Sequence, residues 1–272
     1  MRVIHDSGEM TAWAEAHTGV GLVPTMGFLH RGHASLMHLL RPRCARLVVS
    51  IYVNPLQFGP TEDLATYPRD LDGDLRLCAE AGVDVVFAPS SLYPPGFATG
   101  VTIGGVADVL EGPSRPGHFA GVATVVARLF GVTRCRLAAF GEKDYQQLQV
   151  IRRMVLDLAL PVEIVPGPLV RDDDGVALSS RNTYLSTEDR RRARSLSEAL
   201  FAVQAAARSG VTGVGALTEL GVARLSVDRL EYLSIVDAES LAAIPTLDRP
   251  ARALVAAKVG RTRLIDNVAV NP

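Results

Sequence analysis

The sequence predicts an α/β protein: a Rossmann-like, mostly parallel sheet with helices on both faces, followed by a smaller C-terminal α+β domain. Three observations predict it. Short runs rich in branched apolar residues alternate with amphipathic stretches over the first two-thirds of the 272 residues, as buried parallel strands and their crossover helices do. The alternation stops at Asp172-Asp173-Asp174-Gly175, a polar, turn-forming cluster. Beyond it a pair of helical patterns is followed by three strand patterns, which suits antiparallel pairing in a separate α+β unit.

In chain order, strands are expected at 20–23, 47–53, 83–88, 137–140 and 162–165, each a short branched-apolar run. Helical periodicity covers 32–43, 70–81, 121–132 and 144–158 between them. After the acidic turn come helices at 187–208 and 214–224 and strands at 230–236, 253–259 and 262–268. The boundary falls near residue 170, giving a nucleotide- and substrate-binding domain over 1–170 and a lid domain over 171–272. In open parallel sheets, ligands gather at the carboxyl ends of the strands, so the segments following each strand hold the candidate chemistry.

Bulk properties remove several function classes. A formal net charge of -1 gives no bulk attraction for nucleic acid or anionic lipid. The one basic run, Arg190-Arg191-Arg192, lies beside Glu188 and Asp189 and reads as a solvated helix face. The cysteines, Cys44, Cys78 and Cys135, are three in number and far apart, so they read as reduced thiols of a cytoplasmic protein rather than zinc ligands. Residues 1–10 lack the apolar core of a signal peptide. No apolar run reaches the roughly 20 residues that a membrane helix needs. Neither G-x-G-x-x-G after the first strand nor G-x-x-x-x-G-K-[ST] occurs, so phosphate is handled by another device.

That device is Val23 to His33, V-P-T-M-G-F-L-H-R-G-H, two histidines around a glycine where a strand becomes a helix. A histidine pair in a loop is ordinarily surface decoration; the strand before it and the helix after it argue for a site. Such a turn aims backbone N–H groups and imidazoles at an anion. Gly32 lets a phosphate or adenine ring come close, and His30 and His33, three apart, share a helix face.

Four more segments follow strands or turns. Asn54 and Gln57, in N-P-L-Q-F, are uncharged hydrogen-bonding groups suited to a small hydroxylated acid. Arg115-Pro116-Gly117-His118 is a basic, glycine-containing entry to an apolar helix, a candidate anion site. Lys143, in F-G-E-K-D-Y-Q-Q, offers a compact charge for phosphate, with Gln147 one turn on. Ser179-Ser180-Arg181 could close on a triphosphate.

Together these segments resemble the pantothenate synthetase (pantoate–β-alanine ligase) family of the H-x-G-H nucleotidyltransferase superfamily. The resemblance runs in order through P-T-M-G-x-L-H-x-G-H (24–33), V-N-P-L-Q-F (53–58), E-D-L-x-x-Y-P-R (62–69), R-P-G-H-F-x-G-V-x-T-V-V (115–126), F-G-E-K-D-Y-Q-Q (140–147) and S-S-R-N-x-Y-L-S (179–186). The last hundred residues match less distinctly, mainly in T-R-L-I-D-N (262–267).

The resemblance implies that pantoate attacks the α-phosphorus of ATP to give pantoyl adenylate, after which β-alanine displaces AMP. It implies catalytic roles for His30, His33, Lys143, Ser179, Ser180 and Arg181. Pro24, Thr25, Met26, Gly32, His33, Gly141, Lys143, Asp144, Val170 and Leu178 to Arg181 would line the ATP site. Met26, Gln57, Gln147, Asn54, Tyr67, Arg115 and His118 would line the pantoate and β-alanine site. Mg²⁺ would bridge phosphate oxygens with few protein ligands, Asp74 being the candidate, and a homodimer is implied. Two positions depart from the family pattern. Leu178 stands where many members carry methionine, a volume-conserving change, and Gly73 stands where some carry a second acidic residue before Asp74.

Two other readings are weighed. A related nucleotidyltransferase moving AMP or CMP onto a phosphate-bearing acceptor would need extra cations beside the acceptor, where this chain has Asn54, Gln57 and Gln147. A regulatory module that had lost catalysis would lack phosphate contacts, yet His30, His33, Lys143, Ser179 and Arg181 are all present.

Overall fold

The computed structural model describes residues 1–60 and 62–272. The elements are β1 (Arg2–Ile4), α1 (Ser7–Glu15), β2 (Val20–Thr25), α2 (Arg31–Leu40), β3 (Arg46–Ile51), α3 (Leu71–Glu80), β4 (Val85–Phe87), α4 (Glu111–Ser114), α5 (His118–Thr133), β5 (Leu137–Gly141), α6 (Tyr145–Asp157), β6 (Glu163–Gly167), α7 (Thr187–Arg208), α8 (Val214–Val222), β7 (Arg229–Asp237), β8 (Ala251–Val259) and β9 (Thr262–Val270). They form two compact units, Met1–Glu142 with Gln146–Pro168, and Lys143–Tyr145 with Leu169–Pro272.

The first unit is a six-stranded sheet of order β1-β4-β3-β2-β5-β6, parallel at every pairing. Successive strand residues face opposite ways, and the sheet uses both directions. Val48, Val85, Phe87, Ala138 and Phe140 join one core with Met10 of α1, Val122 and Val126 of α5 and Ile151 of α6. Leu47, Val49, Val86 and Ala139 join the other with Leu36, Met37 and Leu40 of α2 and Cys78 of α3. Burial on both faces explains why these strands read as continuous apolar runs.

The strand order reverses beside β2, with β3 on one flank and β5 on the other. That is the topological switch point at which open α/β sheets bind ligands. The H-x-G-H turn leaves the carboxyl end of β2 there, and Asn54 and Gln57 follow β3.

Three features differ from the sequence expectation. The edge strand β1 and the helix α1 are additional; a three-residue strand and a helix with only Met10 and Ala14 buried leave too little periodicity to read. Helix α5 begins three residues earlier than expected, at His118, because Gly117 at φ +81° turns the chain into it. The expected strand at 83–88 shortens to Val85–Phe87.

The second unit is an antiparallel sheet of order β7-β8-β9. Leu196, Ala199, Leu200 and Val203 of α7 share a core with Ala253, Val255 and Val259 of the central strand. Ser186 caps α7 by accepting from the Asp189 N–H at 3.1 Å.

The basic run at the start of α7 is only partly a solvated face. Arg191 is exposed with Glu188, but Arg190 binds Asp172 at 2.6 Å and Asp174 at 2.8 Å. The acidic turn and the basic run, separate in the sequence, form one network. Among the described residues no helix is long and apolar enough to cross a membrane.

Candidate active site

The turn after β2 is held from three sides. The Thr25 hydroxyl donates to the Ser50 carbonyl at 2.7 Å and accepts from Gly27 N–H at 3.2 Å. Gly27 and Phe28 both take positive φ, +83° and +52°. For phenylalanine that conformation is strained, and it persists because Asp74 of α3 accepts from the Phe28 N–H at 2.9 Å and the Leu29 N–H at 2.6 Å. Burial pushes the Asp74 carboxyl above its ordinary pKa, while the two N–H donors pull it back.

Asp74 thus holds the turn. Both of its oxygens are occupied by backbone donors, and it is 3% exposed. Among the described residues no group of three or more His, Cys, Asp or Glu gathers as a metal cage.

The two histidines cap α2. His30 is the N-cap, and its Nδ1 accepts the Gly32 N–H at 3.2 Å; the His30 N–H in turn donates to Nδ1 of His33 at 3.2 Å. This is a capping box built from imidazoles. The rings lie 4.1 Å apart. A backbone N–H can only donate, so Nδ1 of each ring is an acceptor and the hydrogen of each neutral imidazole sits at Nε2. The expectation that backbone amides of this turn address the anion is corrected at Gly32 and His30, whose N–H groups are taken up by the imidazoles.

After β3, Asn54 is 1% exposed and its amide is fully used. Oδ1 accepts from Leu56 N–H at 3.3 Å and the Tyr93 hydroxyl at 2.8 Å; Nδ2 donates to Gln57 Oε1 at 3.0 Å and the Gly121 carbonyl at 3.1 Å. Those four bonds exhaust an asparagine side chain. Through the Nδ2 to Oε1 bond Asn54 orients Gln57, whose Nε2 lies 3.3 Å from Met26 Sδ. Gly121 makes this possible, since a Cβ there would collide with the Leu56 carbonyl and stand 2.6 Å from Gln57 N.

The Arg115 segment is also re-read. Arg115 forms a fork on Glu62, Nε to Oε1 at 2.8 Å and Nη2 to Oε2 at 2.7 Å, and its Nη1 donates to His118 Nε2 at 2.9 Å. His118 then carries its hydrogen at Nδ1, bound to the Gln57 carbonyl at 2.9 Å. With Glu62 neutralising it, Arg115 buttresses Gln57 rather than offering charge to an anion. Tyr67 is buried, with its ring edge-on to Phe58.

Of the paired glutamines in α6, Gln146 is structural: it donates to the Val106 and Val109 carbonyls and accepts from Glu111 N–H. Gln147 remains half-buried. Gly141 ends β5, in register with Gly167.

In the second unit Lys143 lies 3.4 Å from the Asp144 carboxylate. Arg171 and Ala177 form an antiparallel bridge, and Leu178 N–H donates to the Val170 carbonyl at 3.0 Å. The next residues turn sharply: the Ser179 hydroxyl accepts from Arg181 N–H at 3.3 Å, and a 3-10 turn covers Ser180–Tyr184. Asn182 Nδ2 anchors the turn to the Ala177 carbonyl at 3.0 Å.

Burial pushes the thiols of Cys78 and Cys135 up to about 12 and raises that of the half-buried Cys44, which disfavours thiolate chemistry at each. Sequence reasoning missed Tyr93, which orients Asn54. It sits in an irregular loop after β4, and no local pattern marks it.

Fold and turn together define a Rossmann-like α/β protein of the H-x-G-H nucleotidyltransferase class. Comparison with known proteins narrows this. A profile of the family described as Pantoate-beta-alanine ligase matches residues 2–269, and the chain belongs to that family. A pantothenate synthetase of Rhizorhabdus wittichii is 53% identical over 259 residues, 93% of this chain and 91% of that protein. The crystal structure of pantothenate synthetase from Thermus thermophilus superposes with a TM-score of 0.97 at 48% identity, covering 100% of both chains. The ligase from Francisella tularensis, solved with β,γ-ATP and β-alanine, gives 0.82 at 32% identity over 98% of this chain and 97% of that one.

Proposed function

We propose that the protein condenses pantoate with β-alanine at the expense of ATP, releasing AMP and pyrophosphate through a pantoyl adenylate. The observation that carries the reading is the imidazole capping box at the switch point. It commits both Nδ1 atoms to the backbone and leaves both ring hydrogens at Nε2, two pre-oriented neutral donors at the end of β2. Family membership supports the choice of substrates.

The pantoate carboxylate, with an ordinary pKa of about 4, is already ionised at neutral pH and needs no base. Its oxygen attacks the α-phosphorus; the bond to the β-phosphate oxygen breaks and pyrophosphate leaves with that electron pair. Catalysis here is positioning and charge neutralisation. His30 and His33 donate from Nε2 to phosphate oxygens. Lys143, Ser179, Ser180 and Arg181 hold the triphosphate and then the pyrophosphate. Pro24, Thr25, Met26, Gly32, Gly141, Asp144, Val170 and Leu178 shape the nucleotide pocket. Gln57 and Gln147 hydrogen-bond pantoate, with Asn54, Tyr93, Arg115 and His118 holding Gln57 in place and Tyr67 backing the wall. The β-alanine nitrogen, as the free amine, then attacks the acyl carbon, AMP leaves with the C–O electron pair, and the proton released as the amide forms passes to solvent. Mg²⁺, where bound, would neutralise phosphate charge with few protein ligands. A homodimer is supported by the family resemblance, and a cytoplasmic setting by three cysteines that form no disulfide among the described residues.

The nucleotidyltransferase alternative is disfavoured because Arg115, the cation beside the acceptor residues, is neutralised by Glu62. Incubation with ATP, Mg²⁺, pantoate and β-alanine should release AMP and pyrophosphate in step with pantothenate. AMP release supported equally by unrelated acids would overturn the substrate assignment.

A further inference from the structure

The block T-R-L-I-D-N, shared with the family but given no task by the reaction above, ends in two buried polar residues on β9. Asn267 is 2% exposed; its Oδ1 accepts from Arg252 Nε at 2.6 Å and its Nδ2 donates to the carbonyl of Lys143 at 2.9 Å. Asp266 is 4% exposed; Arg171 grips it with Nη1 on Oδ2 at 2.6 Å and Nη2 on Oδ1 at 2.9 Å. Arg171 Nη1 also donates to the Gly175 carbonyl at 3.1 Å, closing the short hairpin from which Leu178, Ser179, Ser180 and Arg181 emerge. The Asp266 carboxylate further accepts the Asn267 N–H at 2.7 Å, so the two anchors are joined.

The grip on the lysine segment has a second hold. The Arg252 guanidinium lies 4.2 Å from the centroid of the Tyr145 ring, and the Tyr145 hydroxyl donates to the Ala238 carbonyl at 2.8 Å. A buried ion pair is poor value as a source of stability, since desolvation offsets its attraction. What it supplies well is geometry, through a bidentate fork.

We propose that Asp266 and Asn267 are positioning residues for the triphosphate. Asn267 fixes the backbone from which Lys143 extends, and Asp266 fixes, through Arg171, the hairpin that carries Ser179, Ser180 and Arg181. The proposal rests on the reading of those four residues as phosphate ligands, and the test separates the two.

Pantoate-dependent ATP–pyrophosphate exchange reads adenylation; transfer from supplied pantoyl adenylate to β-alanine reads the step that needs no pyrophosphate contacts. Asn267→Asp keeps the acceptor for Arg252 and loses the donor to Lys143. It should lower exchange about tenfold, mainly through KM for ATP, and leave transfer within about twofold of wild type. Asp266→Asn should behave alike. If Asn267→Asp does not fold, Asn267→Ser, too short to reach the Lys143 carbonyl and uncharged, is judged by the same two rates. Equal loss in both half-reactions, or unchanged exchange, overturns the proposal. Lys143→Ala is the control: if it abolishes exchange while the Asn267 variants leave exchange unchanged, positioning fails and the lysine reading stands; if it keeps exchange, the lysine reading itself fails.

Discussion

The two units hold their charge-handling side chains by opposite means. In the first, His30 and His33 are fixed by each other's backbone, three residues apart, at a helix start that would need a cap in any case. In the second, Lys143 is fixed by the side chain of a residue 124 positions away. The local device is cheap in chain entropy, because neighbours need little ordering to meet. The distant one depends on a completed sheet, so its geometry exists only once β9 has paired.

The largest effect that would test this contrast is at the local end. His33→Ala should lower adenylation by about 10²- to 10³-fold, the scale for losing one pre-oriented donor to a developing charge, while the cap costs only about 1 kcal/mol in stability. Steady-state kinetics beside thermal melts check it. A large fall in Tm with near-normal kcat would mean that capping is all the histidines do.

Asp74→Asn comes next, since it lies between the two extremes, spanning 46 and 45 residues to the turn. The amide turns an N–H₂ group toward one of two backbone donors, at a cost of about 1–3 kcal/mol. kcat should fall roughly tenfold with the Mg²⁺ concentration for half-maximal rate unchanged. A shift of that concentration would show that Asp74 also acts on the metal.

The smallest effect concerns the acidic turn. The Arg190 guanidinium beside Asp174 holds its carboxyl below the ordinary range, against a smaller opposing effect of burial. A carboxyl depressed in the folded state stabilises fully above its unfolded pKa of about 3.9 and loses that contribution as pH falls through the folded value. Tm should therefore drop as pH falls below about 4, and Arg190→Gln should flatten the drop. An unaltered acid profile would show that the network is too exposed to matter.

Legibility follows the same division. The H-x-G-H turn could be read because its strand, turn and cap lie within a dozen residues and each leaves a local pattern. The core strands could be read because both of their faces are buried. Asn54 could be located but not understood: its partners Tyr93 and Gly121 are 39 and 67 residues away, and whether an amide meets a ligand or a neighbour depends on them. Asp74 was visible as an acid in a helix's first turn, but its hold on the Phe28 and Leu29 N–H groups was not, for the same reason. Lys143 and Ser179 to Arg181 were visible as residue types, but their anchors, Asn267 and Asp266, appeared only as part of a block of shared sequence.

The close approach at Gly121 bears on how substitution maps of this protein should be read. In a saturation scan scored for growth without added vitamin, this position should tolerate almost nothing, while exposed neighbours such as Pro116 accept many residues. Intolerance is commonly taken as a mark of ligand contact. Here it would mark the place where two stretches of main chain touch, with no room for one added carbon.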